Sequence, residues 1–154
     1  MDSGKLQDWM QIVGLFSLVG SLIFVGLQLK QSHEIALANQ YQARAATTQD
    51  MFNSMQESGV NMGRLGKPID EMSPLEAAAK HNRTEWAWIQ YDNHFYQYNA
   101  GFLDDESWQG LSNRMRVLYS RCDTRYVWER LRQFFRPSFV RFIESLDDAC
   151  EASN

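Results

Sequence analysis

The sequence predicts an all-α protein in which one N-terminal transmembrane helix continues into a helical stalk, followed by a small aromatic-rich helical bundle. Three observations support this prediction: an uncharged apolar run near the N-terminus, a segment after it without Pro or Gly, and a second half with helix start signals but no strand-like alternation. The 154 residues leave room for one small water-soluble domain. Five Trp, six Tyr and nine Phe predict that this domain has a packed core.

The apolar run comprises residues 9–29, between Asp8 and Lys30, and follows a short N-terminal tail, residues 1–8. At about 1.5 Å per residue the run extends about 31 Å, close to the ~30 Å hydrocarbon core of a bilayer. A cleaved signal peptide is the alternative, because residues 36–38 read Ala-Leu-Ala. That motif lies well beyond Lys30, so we expect the run to be retained as a single-pass transmembrane helix.

The orientation of this helix depends on few charges. Lys5 precedes the apolar run, Lys30 follows it, and Asp2 and Asp8 make the N-terminal tail acidic. Positive charges beside a span favour the cytoplasmic side, and here the two lysines balance each other. The acidic tail therefore favours a cytoplasmic C-terminal domain over a periplasmic one.

Small and polar residues lie along one stripe of the predicted transmembrane helix. The stripe is formed by Gly14, Ser17, Ser21 and Gln28. Small residues four apart let a second helix approach closely, and a Gln side chain can hydrogen-bond across such a contact. Gly and Ser are also ordinary in transmembrane helices. The spacing nevertheless predicts a helix-association face, and with it a homo-oligomer or a membrane-protein partner.

The stalk comprises residues 30–58, which contain neither Pro nor Gly and are rich in Ala. Such a composition favours helix, so the transmembrane helix is expected to continue through the stalk. Helix-breaking residues then predict a linker over residues 59–72. These residues are Gly59, Gly63, Gly66 and Pro68.

The helical domain is predicted over residues 73–150. Ser73 suits the N-cap of a helix, Pro74 its first position, and Glu76 completes a capping box. The helix should run to about Asn99 and carry an inward-facing stripe. The stripe consists of Ala77, His81, Thr84, Trp88, Tyr91, Phe95 and Tyr98.

Three shorter helices are predicted after the long one. They start near Asp104 or Asp105, near Asp123 or Thr124, and at Pro137. The aromatic side chains of this region are expected on its buried side. These are Tyr119, Tyr126, Trp128, Phe134 and Phe135. A C-terminal tail, residues 151–154, completes the chain.

One cluster of polar residues on the long helix is a candidate ligand set. His81, Glu85 and Asp92 share a face at offsets of four and seven residues, an arrangement that could place metal ligands in line. The alternative, which we favour, is a core or surface role for His81. The sequence contains no HExxH, GxSxG, phosphate-binding loop or paired-cysteine motif. We therefore predict no metal and no cofactor, and leave catalytic residues unknown.

Residues 114–141 are strongly basic, with eight Arg against Asp123 and Glu129. We expect the arginines to pair with acidic segments elsewhere in the fold. A second interpretation is a face for anionic lipid formed by Arg125, Arg132 and Arg136. Nucleic acid is not expected as a partner, because the aromatic residues of this segment are needed in the core.

The two cysteines, Cys122 and Cys150, could form at most one disulfide. Neither belongs to a CxxC pair. The sequence alone leaves open whether they are bonded, and they do not define the redox compartment.

Three stretches carry a resemblance to known proteins. They are GLFSLVGSLIFVGLQLKQ within residues 9–31, WAWIQYDNHFYQYNAGFLDDESW at residues 86–108, and FFRPSF at residues 134–139. In these the chain resembles a group of bacterial membrane-anchored proteins of uncharacterised function. The resemblance implies the inner membrane of a Gram-negative bacterium and assigns no functional residue.

The predicted function is that of a membrane-anchored interaction or scaffold protein that contacts the lipid bilayer and associates with itself or another membrane protein. An anchor, a stalk and a domain without a recognised catalytic motif favour this interpretation. The alternative is a membrane-bound enzyme or ligand-binding domain that uses the polar cluster on the aromatic helix.

Overall fold

The computed structural model describes residues 3–148 and residue 150, without the side chains of Ser3 and Lys5. No strand occurs within these residues, which confirms the predicted all-α class. Their helices are α1 (Ser3–Glu57), α2 (Pro74–Asn99), α3 (Asp105–Tyr119), α4 (Arg125–Leu131) and α5 (Pro137–Glu144). The predicted C-terminal tail, residues 151–154, lies outside the described residues.

The chain forms two compact units, which divide between Ala43 and Arg44. Helix α1 is continuous over the predicted transmembrane segment and the predicted stalk. It begins at Ser3, so the described part of the predicted N-terminal tail is helical. No Pro interrupts these first residues, so the backbone hydrogen bonds of the helix can extend to them. In the N-terminal unit, every side chain in residues 6–35 is exposed.

A glycine in the left-handed conformation ends helix α1. Gly59 has φ 76°, a value that a side chain would disfavour. The Val60 N–H donates to the Met55 carbonyl over 3.2 Å, and the Gly59 N–H donates to the Gln56 carbonyl over 3.0 Å. These two bonds form a Schellman motif. Val60 and Met55 are both buried, which is the apolar contact expected with this motif.

The predicted linker, residues 59–72, is part of the packed C-terminal unit. It contains two 3-10 turns, Met62–Arg64 and Ile69–Glu71, and no α-helix. Leu65 is fully buried and packs with Met55. The linker therefore joins the end of α1 to a small apolar cluster of its own.

Helix α2 begins with the predicted capping box. The Glu76 N–H donates to the Ser73 hydroxyl over 3.3 Å, and the Ser73 N–H donates to the Glu76 carboxylate over 2.9 Å. The bond from Ser73 holds the pKa of Glu76 below its usual value. Arg64 adds an ion pair to the same carboxylate at 2.6 Å. The start of α2 is therefore fixed both by its own cap and by the preceding turn.

Trp88 lies at the centre of the main core and is only 1% exposed. Its ring centroid is 4.7 Å from that of Trp128 and 6.5 Å from that of Tyr119. The core draws residues from α2, α3, α4 and α5. Its buried members are Trp88, Met115, Tyr119, Val127, Trp128, Leu131, Phe139 and Ile143. The predicted inward orientation of Trp88 is confirmed.

Lys80 is a charged residue inside this unit, with a side chain that is 4% exposed. Its ammonium group donates to the Lys67 carbonyl and to the Asp123 carboxylate, each over 2.5 Å. A buried charge is tolerated when it is paired and hydrogen-bonded in this way. Lys80 thus connects α2 to the linker and to the 3-10 turn that precedes α4.

Two aromatic residues do not face the core as predicted. Tyr126 is 47% exposed and Phe134 is 76% exposed. Helix α4 has seven residues and buries Val127 and Trp128, which leaves Tyr126 on its outer side. Phe134 belongs to the 3-10 turn Arg132–Phe134, and three residues per turn shift the direction of a side chain relative to an α-helix.

We predict that Trp88→Ala strongly destabilises the C-terminal unit, whereas Trp86→Ala is better tolerated. Truncation of a buried Trp typically costs about 3–5 kcal/mol. Trp86 projects about 160° away on the same helix and is only half-buried. Thermal unfolding of the detergent-solubilised chain, followed by near-ultraviolet circular dichroism, compares the two variants. Equal and negligible shifts would contradict the assignment of Trp88 to the core.

Candidate functional site

The predicted polar cluster does not converge on one point. His81 and Asp92 are eleven residues apart on α2, which separates them by about 16 Å along the helix axis. Metal ligands lie within about 2–2.6 Å of the ion they share. The three side chains His81, Glu85 and Asp92 therefore cannot bind a single ion together.

Each carboxylate of this cluster has an arginine partner instead. Glu85 pairs with Arg130, and Asp92 pairs with Arg136 over 2.8 Å. His81 packs edge-on against the ring of Tyr126, with centroids 5.0 Å apart. In residues 3–148 and 150 no group of three or more His, Cys, Asp or Glu side chains is arranged to hold a metal ion.

The three arginines of the predicted anionic-lipid face are also ion-paired. Arg125 pairs with Asp148, Arg132 with Glu144 over 2.7 Å, and Arg136 with Asp92. The Arg125 side chain is 16% exposed and its guanidinium lies 3.7 Å from the centroid of the Tyr119 ring. A lipid phosphate would have to compete with these carboxylates. The lipid face stays a prediction, and Arg125 is its least accessible member.

The expected internal pairing of the basic segment is confirmed. Its arginines contact acidic residues of α2 and of the C-terminal part of the chain. The pairs are Arg130–Glu85, Arg136–Asp92, Arg125–Asp148 and Arg132–Glu144. Four of the eight arginines of residues 114–141 are thus paired at short range with carboxylates from outside the segment.

A pocket of about 360 Å³ lies where α4 and α5 approach the end of α3. Its lining residues are Tyr119, Arg125, Glu129, Arg132, Glu144, Asp148 and Cys150. Three carboxylates and two guanidinium groups give the pocket mixed charge, which does not favour an anion over a cation. Burial is the main cause that raises the pKa of Tyr119, and the nearby Arg125 opposes it.

A disulfide lies at the rim of this pocket. Cys122 and Cys150 are bonded, with Cα atoms 5.4 Å apart, inside the range of about 4.4–6.8 Å that a disulfide requires. The sequence alone left this pairing open. Cys122 is exposed and Cys150 is half-buried, so the bond is accessible from solvent.

The predicted association face lies on the exposed N-terminal unit. The Ser17 hydroxyl donates to the Val13 carbonyl, and the Ser21 hydroxyl donates to the Leu18 carbonyl, each over 2.8 Å. Both hydroxyls are therefore hydrogen-bonded within the helix. A neighbouring helix would contact small residues whose hydroxyl groups already have an acceptor. Self-association through this face stays a prediction.

His94 is a partly buried titratable group that the sequence pattern did not single out as a site. Neither ring nitrogen has a hydrogen-bond partner among the described residues. Burial, with a smaller contribution from Arg44, lowers the pKa of His94 to about 4. Arg44 itself donates to the Gln97 side chain over 2.8 Å. His94 is therefore neutral near pH 7.

Two further residues were missed by sequence reasoning. Lys80 lies three residues after Ala77 and four before Thr84, so the helical spacing predicts that it lies on the inward stripe. The pairing of Lys80 with Asp123 could not be predicted from the sequence, because the two residues are 43 positions apart. The Cys122–Cys150 bond had no signal beyond the even number of cysteines.

No protein-family model, no curated protein and no solved structure matches the chain. The resemblance to bacterial membrane-anchored proteins therefore stays a prediction.

We predict that the stability of the C-terminal unit falls between pH 7 and pH 4.5 and that His94→Gln reduces this fall. The pKa of His94 is lowered in the fold, so the unfolded chain binds the proton more tightly, and stability is lost as pH decreases below about 6.5. Because His94 is partly exposed, we expect its protonation to lower the free energy of unfolding by about 1–2 kcal/mol between these two pH values.

Urea unfolding at the two pH values measures this contribution. The matched control is Asn93→Gln, at an exposed neighbouring position of α2 without a titratable group, which should leave the pH dependence of the free energy of unfolding unchanged. The same pH dependence in the His94 variant as in the wild type would show that His94 is not the titrating group.

Proposed function

We propose that this chain is an interaction or scaffold protein anchored in a membrane by the first part of α1. The observation that carries the proposal is the exposure of the apolar segment, residues 9–29, around its whole circumference. Trp9, Phe16 and Leu22 are 67%, 72% and 71% exposed. Within the described residues, α1 is the helix long and apolar enough to cross a membrane.

An exposed apolar surface of this kind is stable only when another apolar phase or molecule buries it. Burial of apolar surface is favourable by roughly 25 cal/mol per Å², and soluble monomers rarely leave such continuous apolar surface in water. A bilayer supplies such a phase and matches the length of the segment. A signal sequence near the N-terminus meets the same criterion of length and hydropathy. The anchored form is our proposal, with the bacterial inner membrane, implied by the resemblance, as its setting.

The interaction role is supported by apolar side chains on the outer surface of the C-terminal unit. Phe134 is 76% exposed, and on α2 the side chains of Ile89 and Tyr96 are 50% and 52% exposed. Aromatic residues held in solvent are enriched at protein interfaces. We therefore place the partner contact at Phe134, with a second copy of the chain or another membrane protein as partner.

We predict that the full chain stays in the membrane fraction through an alkaline wash, and that the double variant Val19→Arg and Ile23→Arg lowers this fraction several-fold. Each Arg near the middle of a span costs about 2.5–3.5 kcal/mol on an insertion scale. The matched control is Gln42→Arg at an exposed position of α1 outside the apolar segment. Release of the wild-type chain by the wash would refute anchoring.

A photoreactive phenylalanine analogue at Phe134 is predicted to form one discrete cross-linked product in native membranes. Its side chain already projects into solvent, so the fold should be unchanged. The same analogue at Asp70, an exposed residue of the linker, serves as the control. Cross-linking that is absent at position 134, or equal at both positions, would contradict an interface at Phe134.

A further inference from the structure

The C-terminal segment that contains Cys150 is held in place by contacts other than the disulfide. Asp148 accepts a hydrogen bond from the Cys150 N–H over 2.9 Å and pairs with Arg125. Arg125 in turn donates to the Tyr119 carbonyl and lies over the Tyr119 ring. Tyr119 ends α3 directly before the turn that carries Cys122. The Arg125–Asp148 ion pair and the disulfide thus connect the same C-terminal segment to the end of α3.

The resulting disulfide is open to reductants as well as oxidants, because Cys122 is exposed and Cys150 lines the pocket. In the cytosol, thioredoxin and glutathione keep accessible cysteines reduced. A solvent-accessible pair of cysteines that is disulfide-bonded is therefore typical of an oxidising compartment. Cys122 and Cys150 have no CxxC spacing, which is the arrangement of most catalytic redox pairs.

We propose that the C-terminal unit lies on the oxidising side of the membrane, where the Arg125–Asp148 ion pair positions Cys150 for oxidation with Cys122. This inference rests on the proposed membrane setting and specifies its orientation. It reverses the cytoplasmic placement that the acidic N-terminal tail favours. The reversal is physically inexpensive, because Lys5 on one side of the span is matched by Lys30 on the other.

The oxidation proceeds by thiol–disulfide exchange with a disulfide-bearing oxidant. The thiolate of one cysteine attacks the oxidant's disulfide and forms a mixed disulfide, with one oxidant sulfur leaving as a thiolate. The second cysteine then attacks the mixed disulfide and releases the oxidant's other sulfur. The chain loses two electrons and two protons overall, and the oxidant's disulfide becomes two thiols.

Thiol trapping of the full chain in intact bacterial cells tests the proposal. Cells are quenched in acid and denatured, and free thiols are alkylated with a polyethylene-glycol maleimide before electrophoresis. We expect no mass shift without reduction and a shift of two adducts after reduction. The variant Cys122→Ser should gain one adduct without reduction. Two adducts on the unreduced wild-type chain would overturn the proposal.

A second variant tests the positioning by the ion pair. Asp148→Asn removes the charge that holds Cys150 near Arg125. We expect a smaller oxidised fraction at steady state, or slower re-oxidation of the chain after a pulse of reductant. Glu106→Gln, at an exposed position of α3, is the matched control and should re-oxidise like the wild type. Unchanged re-oxidation in the Asp148 variant would overturn the positioning role.

The alkaline wash separates this inference from the anchoring proposal. A chain released by the wash but fully oxidised would refute the anchor and support export to an oxidising compartment. A chain retained in the membrane with two free thiols would support the anchor and overturn the orientation. A periplasm-active reporter fused after the last residue should be active, and an inactive reporter on a membrane-retained chain would overturn the orientation independently of the thiols.

Discussion

The packing of Trp88 against Trp128 is the contact on which the C-terminal unit depends. Helices α4 and α5 have seven and eight residues, too few to be stable alone in water. Both form because they bury apolar side chains against longer helices, α4 against α2 and α5 against α3 and Phe95 of α2. Trp128 also contacts Phe139 of α5, with ring centroids 6.1 Å apart, so one residue joins both short helices to the core. Loss of the Trp88 ring would remove a central contact between α4 and α2, whereas α5 would keep its contacts with Phe95.

The arginine pairs around this core specify arrangement more than stability. Arg130–Glu85 and Arg136–Asp92 join the short helical segments to α2 at partly exposed positions, where an ion pair contributes about 0–1 kcal/mol. Two pairs at different points along α2 favour one register over its alternatives. Lys80 differs, because its charge is buried and the removal of Asp123 alone would leave it unpaired, a change that typically costs about 3–5 kcal/mol.

The sequence predicted those features that depend on local signals. The capping box at Ser73, the end of α2 at Asn99 and the inward direction of Trp88 each follow from residues within one or two helical turns. The prediction that Phe134 faces the core is wrong because the direction of its side chain depends on a 3-10 turn, which the apolar spacing does not predict. The sequence could not identify the partners of Glu85 and Asp92 for a related reason: Arg130 and Arg136 lie about 44 residues away in sequence, and only the fold brings them together.

The disulfide compensates for a weakness in the same architecture. Helix α5 ends at Glu144, and the described segment beyond Leu146 is attached to the core by the Arg125–Asp148 ion pair and the disulfide. The bond closes a loop of 28 residues that contains α4 and α5. In the chain-entropy account, such a closure destabilises the unfolded state by about 3–4 kcal/mol, a large share of the roughly 5–15 kcal/mol that stabilises a small domain. Two helices too short to persist alone thus gain a covalent constraint, which would be retained only in an oxidising compartment.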